Sequence, residues 1–219
     1  ALKNNTTGYF NTAVGAHALD ANTTAANNTA IGKWALSAVT TGSNSVAVGY
    51  NALKALSTGY NNTALGRGAM AATTTGHNAV GIGYDALKEN TTGTQHIAIG
   101  FEALKANTTA GSNIAIGYRA AKTNTTGYNN TVVGTGAYVD ATTAMNNTAI
   151  GHNAGHNVTT GRDNLSLGTA AGSGVTTGQY SVAIGNSCFT NNAGSWYNVV
   201  IGQDAQTSST TVGNQFVLG

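Results

Sequence analysis

The chain has 219 residues, 7% of them charged, with a formal net charge of +2, no proline and 30 glycines. A typical soluble domain carries about 25% charged residues, so an ordinary globule is excluded. Low charge without proline also argues against disorder, and the weak basic balance gives no reason to expect a nucleic-acid partner.

Glycine recurs at a constant interval of 17, at Gly15, Gly32, Gly49, Gly66, Gly83, Gly100, Gly117, Gly134, Gly151, Gly168, Gly185, Gly202 and Gly219, without one insertion. Thirteen repeats follow, the first lacking its two opening residues. The chain begins inside a repeat, and we read it as an excerpt of a longer protein. With the recurring glycine as position 17, position 3 is alanine except at Cys188. Position 4 is leucine or methionine in the first seven repeats, from Leu2 through Met70 to Leu104. This opening segment, of the type Ala-Leu-Lys-Ala-Asn, is too short for a helix and is expected as a second short strand or an irregular wall. Positions 8 and 9 are mostly Thr-Thr, position 10 is mostly glycine, and positions 12 and 13 are mostly asparagine. Positions 14 to 16 alternate as a strand does, with 14 and 16 on one face and a small residue at 15 on the other. Glycine 17 fits a corner that needs positive φ or close backbone approach.

A 17-residue unit is too short for a helical repeat. The pattern predicts an all-β parallel β-solenoid of thirteen coils, a single domain over 1-219, with coils stacked about 4.8 Å apart. Alanine and one aliphatic per coil make a thin interior. Burying an alanine methyl gains about 0.8 kcal/mol, while ordering one residue's backbone costs about 1–2 kcal/mol. The apolar columns at positions 4, 14 and 16 cannot all face one narrow interior. At least one is expected to face another copy of the chain, giving a bundle of parallel identical chains.

Asn44-Ser45-Val46-Ala47-Val48-Gly49 and Tyr180-Ser181-Val182-Ala183-Ile184-Gly185 resemble the head repeats of trimeric autotransporter adhesins. Tyr60-Asn61-Asn62-Thr63-Ala64-Leu65-Gly66 and Asn124-Thr125-Thr126-Gly127-Tyr128-Asn129-Asn130 look like repeat tracts of bacterial and bacteriophage tail-fibre-like proteins, which often end in an endosialidase-type intramolecular chaperone. The resemblance covers the whole chain, although autotransporter heads use shorter repeats. It implies a left-handed β-roll assembled as a homotrimer at a cell or virion surface. The expected role is a structural or adhesive shaft or head segment of an extracellular fibre. Its expected partners are further copies of itself and a cell-surface glycan or protein receptor.

Individual residues offer little chemistry. His17, His77, His96, His152 and His156 are read as surface histidines. The His152/His156 pair lacks a helix and a third ligand, so no metal is expected. Asp20, Asp85, Glu89, Glu102, Asp140, Asp163 and Asp204 fall at scattered positions, so no converging carboxylate pair, no cofactor and no enzyme activity are expected. Asp85, Lys88 and Glu89 read as a solvated edge. Lys3, Lys54, Lys88, Lys105 and Lys122 share position 5. They either meet acidic glycans or, as we favour, keep neighbouring rods apart. Asn22, Asn90, Asn107 and Asn124 match the glycosylation acceptor pattern only because the repeat generates it.

The threonine column at position 9 supports an alternative, an ice-binding solenoid. It contains Thr24, Thr41, Thr58, Thr75, Thr92, Thr109, Thr126, Thr143, Thr160 and Thr177, with Thr7 and Thr211 at its ends. The adjacent Thr-Thr spacing would point only one of each pair outward. In the last repeats aromatics gather at Tyr180, Phe189, Trp196 and Tyr197, as either a ligand platform or a cover for the solenoid end. Cys188, the single cysteine, is expected as a small buried residue. No apolar run reaches the roughly 18 residues that span a bilayer, and no membrane insertion of this segment is expected.

Overall fold

The computed structural model describes residues 1–210 and 212–219; Thr211 of the threonine column lies outside the described residues. Among those residues the protein is all-β, without a helix, and is a parallel β-solenoid with one strand in every 17-residue coil. It divides into two compact halves, Ala1–Gly111 and Ser112–Gly219.

The first half carries β1 (Thr12–Val14), β2 (Thr29–Ile31), β3 (Val46–Val48), β4 (Thr63–Leu65), β5 (Val80–Ile82) and β6 (Ile97–Ile99). Each pairs in parallel with the next, and every residue faces its own counterpart one coil on, as in Thr12↔Thr29 and Ala47↔Ala64. The second half carries β7 (Ile114–Ile116), β8 (Thr131–Val133), β9 (Thr148–Ile150), β10 (Leu165–Leu167), β11 (Val182–Ile184), β12 (Val199–Ile201) and β13 (Phe216–Leu218). These pair in the same register.

The small residue at position 15 points inward. Ala30, Ala47, Ala64 and Ala98 are fully buried against the interior alanines of position 3 and leucines of position 4, such as Leu36 and Leu87. Positions 14 and 16 therefore point outward. A coil this narrow takes a methyl there in most repeats and at most a valine, as at Val132 and Val200, both fully buried.

The segment that opens each coil is irregular wall rather than a second strand. It turns through two left-handed residues, at positions 2 and 4. Leu19, Leu36, Leu53, Leu87 and Leu104 hold φ of 51°, 49°, 49°, 50° and 49°. A left-handed non-glycine costs about 1–2 kcal/mol, and burying a leucine gains about 1.5–3 kcal/mol. The burial carries the strained turn. Position 17 is stricter. Gly83 sits at φ 132°, and a Cβ there would lie 2.4 Å from the carbonyl oxygen of Gly100, its counterpart on the next coil. No side chain fits between stacked corners.

Interior volume is exchanged between columns. Gly81 replaces alanine at position 15 where Met70 fills position 4, and a Cβ on Gly81 would lie 2.7 Å from Met70 Cγ. Tyr138 at position 4 is buried, and its ring occupies the space above Gly155, the position-4 residue of the following coil.

Polar columns close the remaining wall. At position 13, Asn28 Nδ2 donates to Gly42 O (2.9 Å), and its Oδ1 accepts from Ser45 N (2.9 Å). At position 7, the buried Asn90 donates to Gly93 O within its own coil (3.0 Å). Threonine hydroxyls at position 8 donate to the carbonyl of the same position one coil on, as from Thr74 to Thr91 O (3.1 Å). His96 stands in the position-13 column with Nε2 2.7 Å from Ala110 O, fully buried, which corrects its reading as a surface histidine. Asn22, Asn90, Asn107 and Asn124 are likewise interior in the folded chain.

The Tyr138 hydroxyl is buried without a hydrogen-bond partner. An unsatisfied buried polar group costs about 1–3 kcal/mol, so Tyr138→Phe is expected to stabilise the protein by about 1 kcal/mol in thermal melts. Burial also pushes this phenol well above its usual value. Above about pH 10 the unfolded chain releases the proton while the folded chain holds it. Wild-type stability therefore falls there by a component that the phenylalanine variant lacks.

Candidate interaction surfaces

The outward face of the strands is apolar. In the first half Val14, Ile31 and Leu65 of position 16 and Val46 and Ile97 of position 14 are exposed, Leu65 to 47%. In the second half Ile116, Ile150 and Leu167 of position 16 are exposed in the same way. The sheet thus presents two ranks of aliphatic and threonine side chains, two residues apart along each strand.

Beside this face runs the edge formed by positions 1, 2 and 5. In the first half it holds a continuous row of rings and cations. His17 and Trp34 centroids lie 6.1 Å apart, and Trp34 and Tyr50 6.0 Å. The Arg67 guanidinium lies 5.8 Å from the Tyr50 ring and 5.5 Å from Tyr84, which stacks on Phe101 at 5.2 Å. Three lysines of position 5 are drawn into this row. Lys54 lies over Trp34 (5.0 Å), Lys88 pairs with Asp85 (2.9 Å), and Lys105 pairs with Glu102 (2.6 Å). The hydrogen bond to Glu102 raises the Lys105 pKa despite desolvation. Asp85 and Glu102 are buried and paired with Lys88 and Lys105, so this stretch of the edge is an ion-paired network, while Glu89 stays exposed.

The threonines of position 9 are exposed at every described position, Thr24, Thr41, Thr58, Thr75, Thr92, Thr109, Thr126, Thr143, Thr160 and Thr177 among them. They form one rank on a bend, because their position-8 neighbours turn their hydroxyls onto the backbone.

The late aromatics separate into two groups. Phe189 occupies position 4 and is fully buried, so it belongs to the core rather than to a surface platform. Cys188 beside it is also buried; burial pushes its thiol up, and the Sγ donates to Gly185 O (3.4 Å). Tyr180, Trp196 and Tyr197 are exposed on the side wall, where Tyr180 and Tyr197 stack at 5.0 Å and 7°. Trp196 and Tyr197 line a cavity of about 340 Å³ with Gly194, Ser195, Gly213 and Asn214. Trp196 and Tyr197 of the expected aromatic group line this cavity; of the two glycines beside them, Gly213 was not singled out in the sequence.

His156 lies 3.6 Å from Asp140 and His17 3.3 Å from Asp20. Among the described residues no group of three His, Cys, Asp or Glu is placed to hold a metal ion, and no helix is long and apolar enough to cross a membrane. Comparison of the chain with known protein families, curated proteins and solved structures finds no match.

Proposed function

We propose that this chain is a shaft or head segment of an extracellular homotrimeric fibre, with a mechanical and adhesive role rather than a catalytic one. The observation that carries this reading is the outward sheet face. Its aliphatic ranks repeat coil after coil, which suits an equivalent face on a second and third copy. Copies aligned in register would bury these ranks and supply the apolar core that a coil lined with alanine lacks. The shaft would then hold a binding surface away from its anchor. Sites repeated along it would act together, each weak alone.

Light scattering coupled to size exclusion tests the assembly. A mass near three times 21.9 kDa is expected. Leu65→Lys is expected to lower that mass toward one chain while far-ultraviolet circular dichroism keeps its β signature. A stable, folded wild-type monomer would sink the proposal. A second reading, ice binding, draws on the exposed position-9 threonines. Thermal hysteresis from a monomer would select it.

A further inference from the structure

The geometry points to a binding site for a neutral saccharide on the side wall of the last two coils, with Trp196 as its platform. Three departures from the repeat meet at this place. Position 9, threonine in the other coils, is Gly194, so the exposed threonine rank is interrupted. Position 10, usually glycine, is Ser195. Position 11 is Trp196 in one coil and Gly213 in the next, so the coil beyond has no side chain at the indole's own position. The result is the cavity of about 340 Å³, inside the range of about 300–1,000 Å³ typical of small-molecule sites.

Its chemistry is that of a sugar site. Trp196 is 50% exposed, and among the described residues no other ring stacks on it. Tyr197 adds a second aromatic, braced on Tyr180. An aromatic face suits the C–H face of a pyranose, and the ring's hydroxyls require neutral donors and acceptors beside it. The Asn214 amide, the Tyr197 hydroxyl and the glycine backbone are of that kind. None of the six lining residues is charged, and no lysine or arginine follows Arg162. Arg162 stands two coils before Trp196 in the same column, and its Nε donates to Gln179 Oε1 (2.7 Å) between them, so the lining offers an acidic sugar no charged partner of its own.

The assignment gives the adhesive role proposed above a ligand class and rests on that reading only for its setting. Saccharide binding is read by fluorescence and chain number by light scattering, so either can fail alone. The protein has two tryptophans, Trp34 and Trp196, so Trp34→Phe leaves Trp196 as the sole indole reporter. This variant is titrated with neutral tetrasaccharides of glucose, galactose and N-acetylglucosamine, and with a galacturonic acid tetrasaccharide as the charged control. A saturable shift in Trp196 emission is expected with at least one neutral sugar. Gly194→Thr restores the residue usual at position 9. Among the described residues a Cβ there meets only the Thr177 hydroxyl, at 3.1 Å, so the fold is expected to hold while the site fills and affinity falls at least about tenfold. Trp196→Ala, followed by calorimetry, is expected to abolish binding with an unchanged melting curve. The assignment is overturned by no saturable response up to about 10 mM sugar, by undiminished affinity in Gly194→Thr, or by equal or tighter binding of the charged control.

Discussion

Gly155→Leu is expected to destabilise the protein by about 2–5 kcal/mol, although it restores the residue most common at its position. Two terms add. The backbone there sits at φ 59°, a left-handed conformation that costs a non-glycine residue about 1–2 kcal/mol. The new side chain also enters occupied space, since its Cβ would lie 2.7 Å from Tyr138 Cδ2 and Cε2. Overpacking a closed core costs about 1–3 kcal/mol. Tyr138→Leu alone leaves a void above Gly155 and is expected to cost about 1–3 kcal/mol. The double variant returns both coils to stacked leucines, the arrangement that Leu87 and Leu104 already hold at φ 50° and 49°. It is expected to be more stable than the sum of the single effects by about 1–3 kcal/mol. Chemical denaturation of the four proteins measures that coupling. Simple additivity would mean that the ring and the glycine do not share one space.

The same columns show what was legible in the sequence. An unbroken interval of 17 fixes one coil per repeat, because a single insertion would break the stacking of Gly83 on Gly100. Alternation at positions 14 to 16 tells which residues share a face. It does not tell which face is inside, since a sheet with alanine in or isoleucine in has the same pattern. The width of the coil decides that, and width is a property of the closed turn.

The wall that opens each coil was harder. Alanine, leucine and lysine favour helix, yet Leu53 and Leu87 are held left-handed by burial, a tertiary effect that no local preference contains. Column membership was the signal that sequence reasoning underused. Phe189 stands in the leucine column, hence inside; Tyr197 stands in the asparagine-rich position-12 column and Trp196 in the column of the exposed Tyr60 and Tyr128, hence outside. His96 replaces an asparagine of the interior position-13 column and inherits its burial and its carbonyl partner. Asp85 and Glu102 gave no such sign, because their burial depends on Lys88 and Lys105, three residues along the turn.

Two buried asparagines in the second half are expected to answer substitution in opposite ways. Asn147 is 1% exposed; its Nδ2 donates to Gly161 O (2.9 Å), and its Oδ1 accepts from Asn164 N (2.9 Å). Gly161 O has no second side-chain donor, because position 7 of its coil is Val158. Asn147→Leu therefore strands a carbonyl and an amide in the interior. Each orphaned group costs about 1–3 kcal/mol, so a loss of about 2–6 kcal/mol is expected. Asn124 donates to Gly127 O (2.8 Å), but that carbonyl also accepts from Asn113 (2.8 Å), and the Asn124 Oδ1 is buried without a partner. Asn124→Val leaves Gly127 O satisfied and removes the orphan oxygen. It also places at position 7 the residue that Val158 and Val175 already supply. Its stability is expected to stay within about 1 kcal/mol of wild type, or to rise. Thermal and denaturant melts of the two variants decide the matter. Equal losses would show that the asparagine columns act by shape, and a large gap would show that what counts is how many donors each stacked carbonyl has.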